Sequence, residues 1–320
     1  MSVARPPEPQ FLIEELADVS TTTPTRRRRR SSLRAEKLWG WLLTLPALVH
    51  TLVWIGGPVI VAIMMSFTNY DIVNPPEFNA GANYAELAGD SVFWTALWHN
   101  LVMVVFVVPI SIFIALVLAV ALNEGLRGQS WFRTMIFMPH VTASVAIAMI
   151  WLWIYAPGAN GLANRILGFV GISPNNWLTS TSLALPAVIV VGIWQGIGLK
   201  MLIYLAALQG VSPELYEAAD VDGAGTIQKF WNITVPMLRP ATFFVLATSV
   251  IANFQTFDLI FVLTNGGPAN ATTVITYQIY VAAFQQYRMG YATAMSVVLL
   301  VVLVFVTYIS RRLVGSTDGD

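Results

Sequence analysis

Three carboxylates, those of Glu217, Asp220 and Asp222, stand within six residues of one another and are the side chains whose spacing comes closest to an acid–base pair or a metal site. Either kind of site needs a further partner close by, above all a histidine or a nucleophile. The three histidines of the chain lie far from this group in sequence, and the chain has no cysteines. We therefore expect no catalytic residue and no metal site in this chain.

The composition of the chain is that of a membrane protein. Apolar residues make up 56% of the 320 residues and charged residues only 11%. A soluble domain carries about 25% charged residues. The absence of cysteine also excludes disulfides and says nothing about the redox state of the compartment.

Six apolar runs are long enough to cross a bilayer. A hydrocarbon core of about 30 Å needs about 20 helical residues, and a run in hydrocarbon must be helical to satisfy its own backbone. The sequence therefore predicts an all-α membrane protein with six spans. Their predicted limits are Trp41–Phe67, Asn100–Leu122, Thr134–Tyr155, Leu185–Leu208, Ala241–Leu263 and Tyr291–Ile309.

Lysine and arginine are distributed unevenly between the connections, and this predicts the orientation. The N-terminal segment, the second and fourth connections and the C-terminal segment all carry basic residues. Arg165 and Arg288 are the only basic residues in the first, third and fifth connections. Because cytoplasmic connections hold the excess of Lys and Arg, we expect both termini and the connection around Glu217 to face the cytoplasm.

The two ends of the chain are predicted to lie outside the membrane domain. Residues 1–37 are rich in Pro, Thr and Arg without an apolar period, which indicates a disordered basic tail. The Arg26–Arg30 run precedes the first span, where a basic cluster sets orientation, and we favour this over a nucleic-acid site or an export signal. The first span is too long for a signal-peptide core and is expected to be retained. The membrane domain is then residues 38–313, and residues 314–320 form a cytoplasmic tail.

The connection at residues 212–239 carries start and stop signals for short helices. Ser212 and Pro213 are favoured at the cap and the first position of a helix. That helix is predicted to run from Pro213 to about Asp222 and to be ended by Gly223. Thr226 is predicted to cap a second short helix that leads towards the fifth span.

The first of these short helices has one apolar face and one acidic face. Leu215, Ala218 and Ala219 fall close together at a spacing of three to four residues. A helix of this kind can enter a groove on another protein, with its acidic side against basic residues. The alternative is an amphipathic segment that lies on the membrane surface. The acidic face consists of Glu214, Glu217 and Asp220.

The spacing of this connection resembles that of the cytoplasmic loop of bacterial ABC-importer permeases. The shared pattern is Glu217-Ala-Ala, three residues, Gly223, nine residues, Ile233 and then Pro236, with Val235 where Leu is usual. In that family the loop forms a helix that couples the permease to the ATPase subunit. The resemblance therefore implies an ATPase-coupling set, which is Leu215, Glu217, Ala218, Ala219, Asp220, Gly223, Ile233 and Pro236.

The resemblance extends over roughly residues 38–313 and is to the carbohydrate type of permease, similar to those of maltose and glycerol-phosphate importers. It implies the type I ABC-importer permease fold, with six transmembrane helices and a coupling helix between spans 4 and 5. The segments that carry it outside the coupling loop are Met138-Pro139, Gly161-Leu-Ala-Asn164, Phe254-Gln-Thr-Phe-Asp258 and Leu263-Thr-Asn-Gly-Gly-Pro268.

Several partners follow from the resemblance. The chain has no Gly-x4-Gly-Lys-Ser/Thr phosphate loop, so no cofactor is expected in this chain, and ATP and Mg²⁺ are expected on a partner ATPase. The resemblance implies two copies of that ATPase, a second homologous permease chain and an extracytoplasmic solute-binding protein. Membrane lipid is a further expected neighbour, whereas nucleic acid is not.

Polar residues at one depth of the fourth and fifth spans are the candidates for solute contact. Trp194 and Gln195, like Asn253 and Gln255, fall roughly 20 Å from the cytoplasmic end of their spans at about 1.5 Å per residue. Transporter sites lie near the midplane, and amide groups suit the hydroxyls of a sugar. We predict that these four residues and Asp258 line the pathway. The alternative is hydrogen bonding between helices.

Lys200 and His140 are predicted to lie nearer the cytoplasmic side. The helical rise places Lys200 about 13 Å and His140 about 10 Å from that side, with Asp258 at about 27 Å, too far from Lys200 for an ion pair. We interpret Lys200 and His140 as a gate or an anchor below the solute layer. Gly192 and Gly196 have the spacing that allows another helix to approach.

Three other functions are compatible with a membrane chain of this kind. A membrane-embedded enzyme would need the catalytic group that the carboxylates do not form. A stand-alone ion-coupled carrier usually has duplicated halves and buried carboxylates, whereas Asp258 is the one acid predicted within a span. An importer of a glycerol-phosphate-like solute would want a cation at the midplane, and Lys200 is predicted to lie too low.

Overall fold

The computed structural model describes residues 28–123 and 128–314, which are helices joined by loops, with one isolated β-bridge between Thr68 and Phe78. Three π-helical turns are Leu52–Gly56, Phe230–Thr234 and Val281–Gln285, and two short helical turns are Gly158–Asn160 and Val235–Met237. The helices are α1 Arg28–Thr51, α2 Gly57–Met65, α3 Ala82–Gly89, α4 Ser91–Asn123, α5 Gln129–Val141, α6 Ser144–Ile154, α7 Leu162–Gly168, α8 Ala184–Leu208, α9 Pro213–Val221, α10 Thr226–Lys229, α11 Arg239–Phe254, α12 Asp258–Leu263, α13 Ile275–Tyr280 and α14 Met289–Val314.

The chain divides into two compact units, Met1–Ile60 and Val61–Asp320. In the first unit α1 begins at Arg28, within the predicted basic tail of residues 1–37. Residues 28–37 include Leu33, Ala35 and Glu36, which are good helix formers and extend the helix ahead of its apolar part. Residues 1–27 and 315–320, which hold most of the two predicted tails, lie outside the described residues.

Among the described residues, four helical segments are long and apolar enough to cross a membrane, and two bent helix pairs bring the number to six if each pair forms one span. The four segments correspond to the first, second, fourth and sixth predicted spans, although α4 begins nine residues before the predicted Asn100. They are Lys37–Met65, Ser91–Asn123, Ala184–Leu208 and Met289–Ile309.

The third predicted span, Thr134–Tyr155, is wrong as one continuous helix, because α5 and α6 meet at an angle of 99°. Thr142 and Ala143 between them have extended backbones with ψ of 138° and 129°. The Thr142 hydroxyl donates to the Met138 carbonyl at 2.9 Å. The same carbonyl also accepts the Thr142 N–H at 3.2 Å, so both bonds close the last turn of α5 at the break.

The fifth predicted span, Ala241–Leu263, is also broken. Helix α11 ends at Phe254 and α12 begins only at Asp258. At its start, α11 is preceded by the helical segment Thr226–Met237, from which it is bent by 68°. The consecutive 1.5 Å steps that the depth prediction assumed therefore hold for Asn253 but not for Gln255 and Asp258, which lie in and beyond the break.

Asn100 of α4 holds the break between α11 and α12 together. Its side chain is fully buried. Nδ2 donates to the carbonyls of Asn253 and Phe254, at 3.4 Å each, and Oδ1 accepts the backbone N–H of Ile275 at 2.9 Å. One amide therefore ties together α4, the end of α11 and the start of α13 by satisfying backbone groups that no helix satisfies.

Helices α8 and α11 run antiparallel, and contacts of α8 fix the wall that carries the site. Tyr204 OH of α8 donates to Thr242 Oγ1 at the start of α11 at 3.2 Å. Gly198 allows α8 to approach α5 closely, since a Cβ there would lie 2.5 Å from the Ile136 carbonyl oxygen. The close approach is therefore at Gly198 and not at the predicted Gly192, whose Cβ would make an ordinary 3.5 Å contact with Val107.

Candidate solute pathway and coupling loop

A cavity of 470 Å³ lies between α8 and α11 and reaches the break that follows α11. Its walls bring together six of the seven residues predicted as solute-pathway or gate positions. The cavity volume lies in the range of about 300–1,000 Å³ that is usual for small-molecule sites. The six residues are His140, Gln195, Lys200, Asn253, Gln255 and Asp258.

The breaks in α5–α6 and α11–α12 are what place polar groups on this cavity. Ser144, the first residue of α6, lies in the wall, and the Gln195 amide donates to its hydroxyl at 3.3 Å. Gln255 and Asp258 are exposed in the segment between α11 and α12. No hydrogen bond of either side chain is found within the described ranges, so both can bind a solute.

Asn253 is less available than its neighbours. Its side chain is buried, and Nδ2 donates to the Ser249 carbonyl one turn earlier in α11 at 2.8 Å. This bond lies within α11 and is not the bond between helices that the alternative prediction expects. The second N–H of the amide and its oxygen remain for another partner.

Trp194 does not line the cavity. It precedes Gln195 by one residue, which turns its side chain by about 100° around the helix axis. Its ring packs edge-on against Trp151 with a centroid distance of 5.7 Å. The predicted common layer therefore contains Gln195 but not Trp194, because depth alone does not fix the direction of a side chain.

Lys200 brings a buried positive charge into the cavity wall. It is 7% exposed, and Nζ donates to the Gly196 carbonyl at 3.2 Å. Across the described part of the chain it forms no ion pair with an acidic residue. An ammonium group in a membrane interior needs a partner, a carbonyl or water, and here one carbonyl fills one of its three donor positions.

Lys200 and Asp258 lie near opposite ends of the cavity. Lys200 is one helical turn, about 6 Å, from Tyr204, which marks the level of Thr242 through their hydrogen bond. Asp258 follows all of α11 beyond Thr242, a rise of about 18 Å to the end of that helix. The cavity therefore carries a cationic group near the start of α11 and an anionic group beyond the end of that helix.

The loop that follows α8 contains the short helix that the sequence predicts. Helix α9 runs Pro213–Val221 with Pro at its first position, and Gly223 ends it with a left-handed φ of +75°. Ser212 is the N-cap residue, as predicted, although its side chain makes no bond to the helix. The second helix is capped by Gly225, with Thr226 as its first residue and not as its cap.

Two side-chain contacts fold this loop back on itself. Lys229 Nζ donates to Asp220 Oδ1 at 2.7 Å, and the hydroxyls of Tyr216 and Thr234 lie 3.0 Å apart. Both contacts join α9 to the segment that leads into α11. Asp220, predicted to face basic groups of another protein, is thus bound within the loop, because the turn at Gly223–Gly225 places α10 beside α9.

The outer surface of α9 is exposed where docking would require it. Glu217 and Ala218 are exposed, and Ala219 is half-buried. Large apolar side chains flank them, with Val221 at 87% and Ile227 at 77% exposure. Within the same loop, Leu215 is 41% exposed, and Ile233 and Pro236 are half-buried in the turns before α11.

Four residues with clear roles in this arrangement are absent from the sequence predictions. Asn100 was visible only as one end of a predicted span, although a lone amide at the edge of an apolar run is a signal for a structural hydrogen bond. Ser144, Tyr216 and Thr234 gave no signal, because their partners come from other segments of the chain.

Broken helices that line a polar cavity, with a polar loop joined to one of them, define the transmembrane subunit of a transporter. Residues 108–316 match the family described as binding-protein-dependent transport system inner membrane component. The chain belongs to this family, the membrane permeases of ABC importers. It is therefore a multi-pass protein of the bacterial plasma membrane and a non-catalytic transport subunit, with ATP hydrolysis on a separate chain.

Two curated relatives match over most of their length. The arabinooligosaccharides transport system permease protein AraP of Bacillus subtilis is 34% identical, over 91% of this chain and 93% of its own. The sn-glycerol-3-phosphate transport system permease protein UgpA of Yersinia pestis is 32% identical, over 86% and 93%.

Solved structures show the same fold. A chain of a bacterial ABC transporter that imports the acidic polysaccharide alginate superimposes with a TM-score of 0.72 at 27% identity, covering 90% of this chain and 99% of that one. A second structure of that kind contains an alginate pentasaccharide-bound periplasmic protein and gives the same TM-score at 26% identity. The predicted all-α permease fold is confirmed by these matches.

Proposed function

We propose that this chain forms half of the translocation pathway for a carbohydrate in an ATP-driven importer. A second, homologous permease supplies the other half, two copies of an ATPase bind ATP and Mg²⁺, and an extracytoplasmic binding protein delivers the solute. Both termini and the α9 loop face the cytoplasm, in line with the distribution of Lys and Arg. Six spans result if each bent helix pair crosses the membrane once.

The observation that carries the proposal is the continuity between the α9 loop and the cavity. Helix α9 is bonded to the Thr226–Met237 segment through Asp220 and Tyr216. That segment leads into α11, whose far end carries Asn253 and the break at Gln255. A movement of α9 is thereby transmitted along one helix to the cavity wall.

The α9 surface is proposed to dock on the ATPase. Glu217 and Ala218 supply an exposed acidic and small face, and Leu215 a partly exposed apolar group beside it. Ala219, Gly223, Ile233 and Pro236 set the shape of the loop behind this face. Asp220 contributes by bonding to Lys229 within the loop.

The cavity is proposed to bind the solute during passage. Gln195 and Gln255 offer amide donors and acceptors to hydroxyl groups, and Asp258 accepts from them. The relatives named for arabinooligosaccharides and for alginate support a carbohydrate solute. His140 and Lys200 form the end of the cavity that lies towards the α9 loop.

A second candidate solute is an acidic sugar or a sugar phosphate. The observation that favours it is the Lys200 ammonium, which the structure places on the cavity with a carbonyl as its partner. Lys200→Gln separates the two candidates in a transport assay. It would reduce uptake of an anionic solute at least about tenfold, the effect of about 1.4 kcal/mol, and leave uptake of a neutral saccharide within about twofold.

Purification of the tagged chain from its host membrane tests the assembly. Native mass spectrometry of the detergent-solubilised complex should show one copy of this chain, one second permease and two ATPase subunits. The binding protein should stimulate ATP hydrolysis by that complex when it carries solute. Isolation of the chain alone in a transport-active form would contradict the proposal and favour a stand-alone carrier.

A further inference from the structure

A second cavity, of 750 Å³, lies away from the proposed pathway. One wall is α3 with the start of α4, and the other is the Asn265–Asn270 loop, α13, the Val281–Gln285 turn and the start of α14. These elements belong to the first and fifth predicted connections. In the proposed orientation the cavity therefore opens to the extracytoplasmic side.

The charged groups of this cavity are already paired with one another. Arg288 donates to Glu86 through Nη1 at 2.8 Å and Nη2 at 2.5 Å. Its guanidinium also lies 4.5 Å from the ring centroid of Tyr291. This partner holds the pKa of Glu86 below its ordinary value. A charged ligand would therefore have to break an existing ion pair to gain a new one.

The remaining acid of the cavity is also satisfied. Asp90 Oδ2 accepts the Tyr291 hydroxyl at 2.6 Å. Its other oxygen accepts the backbone N–H groups of Val92 and Phe93, at 2.8 and 3.3 Å, and so caps α4. Asp90 shapes the wall and has little capacity left for a ligand.

Side-chain amides are the groups left free for a ligand. Within the described residues, the side chains of Asn265, Asn270, Gln285 and Gln286 make no hydrogen bond, and all four line the cavity. An amide has both a donor and an acceptor, which matches neighbouring hydroxyl groups that each donate and accept. The unbonded side chains of this cavity therefore suit a neutral, polyhydroxylated ligand.

The cavity is joined to the proposed pathway through α13. Tyr277 and Gln278 line the cavity, and the preceding residue, Thr276, donates to the Thr256 carbonyl in the break at 2.6 Å. Ile275 is bonded to Asn100 at the same break. A ligand held here contacts the helix that positions the pathway.

We infer that this cavity is an outer binding site for a neutral saccharide, separate from the cavity between α8 and α11. The inference rests on the proposed function, since it assigns the site to a carbohydrate importer. The site would hold solute on the extracytoplasmic side before it enters the pathway. Its volume lies within the range of about 300–1,000 Å³ that is usual for small-molecule sites.

The absence of cysteine from the chain allows a direct test. Ala85 and Ala88 are both exposed on α3, but only Ala85 lines the cavity. Ala85→Cys and Ala88→Cys are made separately in the complete complex in lipid nanodiscs, without ATP or binding protein. Labelling of this chain by a maleimide is followed by mass spectrometry with arabinotriose, maltotriose or an alginate trisaccharide present.

The expected result is that at least one neutral trisaccharide slows labelling of Ala85→Cys about fivefold or more. Ala88→Cys should label at an unchanged rate, and the alginate trisaccharide should protect neither. Adding Gln285→Met and Gln286→Met should remove the protection, whereas adding Gln195→Met should not. The loss of two hydrogen bonds of about 1 kcal/mol each corresponds to roughly a thirtyfold loss of affinity.

The inference is overturned if neither neutral trisaccharide protects Ala85→Cys, if protection is equal at Ala88→Cys, or if it survives the double glutamine substitution. Solute uptake and ATP hydrolysis are measured on the same preparations. A complex that transports but shows no protection refutes the outer site and leaves the importer function standing. A complex that shows protection but no ATP-dependent transport supports the outer site and refutes the importer function.

Discussion

Lys229 Nζ lies 2.7 Å from Asp220 Oδ1 and closes the α9 loop upon itself. The side chain of Lys229 is 22% exposed and that of Asp220 is 62% exposed. An exposed pair of this kind contributes about 0–1 kcal/mol to stability. The contact therefore matters more for the shape of the loop than for stability, because it joins α9 to the segment that enters α11.

Breaking this pair is expected to weaken coupling more than stability. Asp220→Asn or Lys229→Gln should lower solute-stimulated ATP hydrolysis about two- to fivefold, in keeping with a loss of up to about 1 kcal/mol. The charge exchange Asp220→Lys with Lys229→Asp should restore most of it. Asp222→Asn is the matched control, because Asp222 is exposed in the same loop. If Asp222→Asn loses as much ATP hydrolysis and the charge exchange restores none, the Asp220–Lys229 pair does not support coupling.

Gly223 is expected to be essential to the loop for its backbone conformation. Its φ of +75° lies in the left-handed region, which costs a residue with a Cβ roughly 1–2 kcal/mol. Gly223→Val should abolish solute-stimulated ATP hydrolysis while the chain still inserts into the membrane. Gly225→Val serves as the control, because Gly225 has a φ of −70° and open space around its Cβ position. Similar activities of the two variants would contradict this explanation.

Asn100→Leu is expected to destabilise the break between α11 and α12. The substitution removes the side-chain partner of the Phe254 carbonyl and of the Ile275 N–H, whereas the Asn253 carbonyl keeps the N–H of Thr256. An unpaired buried polar group costs about 1–3 kcal/mol. The thermal midpoint of the purified complex should fall by several degrees, and uptake should be lost.

Ser111→Ala provides the comparison for that variant. Ser111 is equally buried in α4, but its hydroxyl bonds only to the Val107 and Val108 carbonyls of its own helix. Its removal should change the thermal midpoint little. If Asn100→Leu is as mild as Ser111→Ala, Asn100 does not hold the break.

Gly198→Ala tests the packing of α8 against α5. The added methyl group would meet the Ile136 carbonyl oxygen at 2.5 Å and the Phe137 Cα at 2.8 Å, both of them backbone atoms. Overpacking of this kind costs about 1–3 kcal/mol. Gly192→Ala, whose methyl group would meet only Val107 side-chain atoms at 3.5 Å or more, should be tolerated. The thermal midpoints of the two variants are compared. A midpoint of Gly198→Ala as high as that of Gly192→Ala would refute the close approach of α8 to α5.

The sequence was sufficient to predict the helical class, the apolar segments and the short helix α9. Length and apolar content predict a span, and Pro213 with Gly223 predicts the limits of α9, because these signals are local. The breaks after Val141 and Phe254 were not predictable in this way. They depend on Asn100, Thr142 and Thr276, whose side chains bond to the backbone where the helices stop. The composition of an apolar run does not indicate such bonds.

The candidate site was predicted in part for the same reason. The rise per residue predicted Lys200 and Asp258 at different depths. It did not show that both would reach one cavity, or that Trp194 would turn away towards Trp151. Such facts depend on helix rotation and on the two breaks, which arise from tertiary contacts.

The measurement that tests the account most directly is a crosslink from α9 to the ATPase. Because the chain has no cysteine, Ala218→Cys on α9 provides a single exposed thiol, and Ala159→Cys provides one in the connection predicted to face the opposite side. The complex in sealed membrane vesicles is treated with a short maleimide–benzophenone reagent, which attaches to the introduced thiol and on illumination crosslinks to C–H bonds of a neighbouring chain, and the products are identified by mass spectrometry. The account predicts a crosslink to the ATPase subunit from Ala218→Cys and none from Ala159→Cys. A crosslink from Ala159→Cys, or none from Ala218→Cys in a complex that still hydrolyses ATP in response to solute, would contradict it.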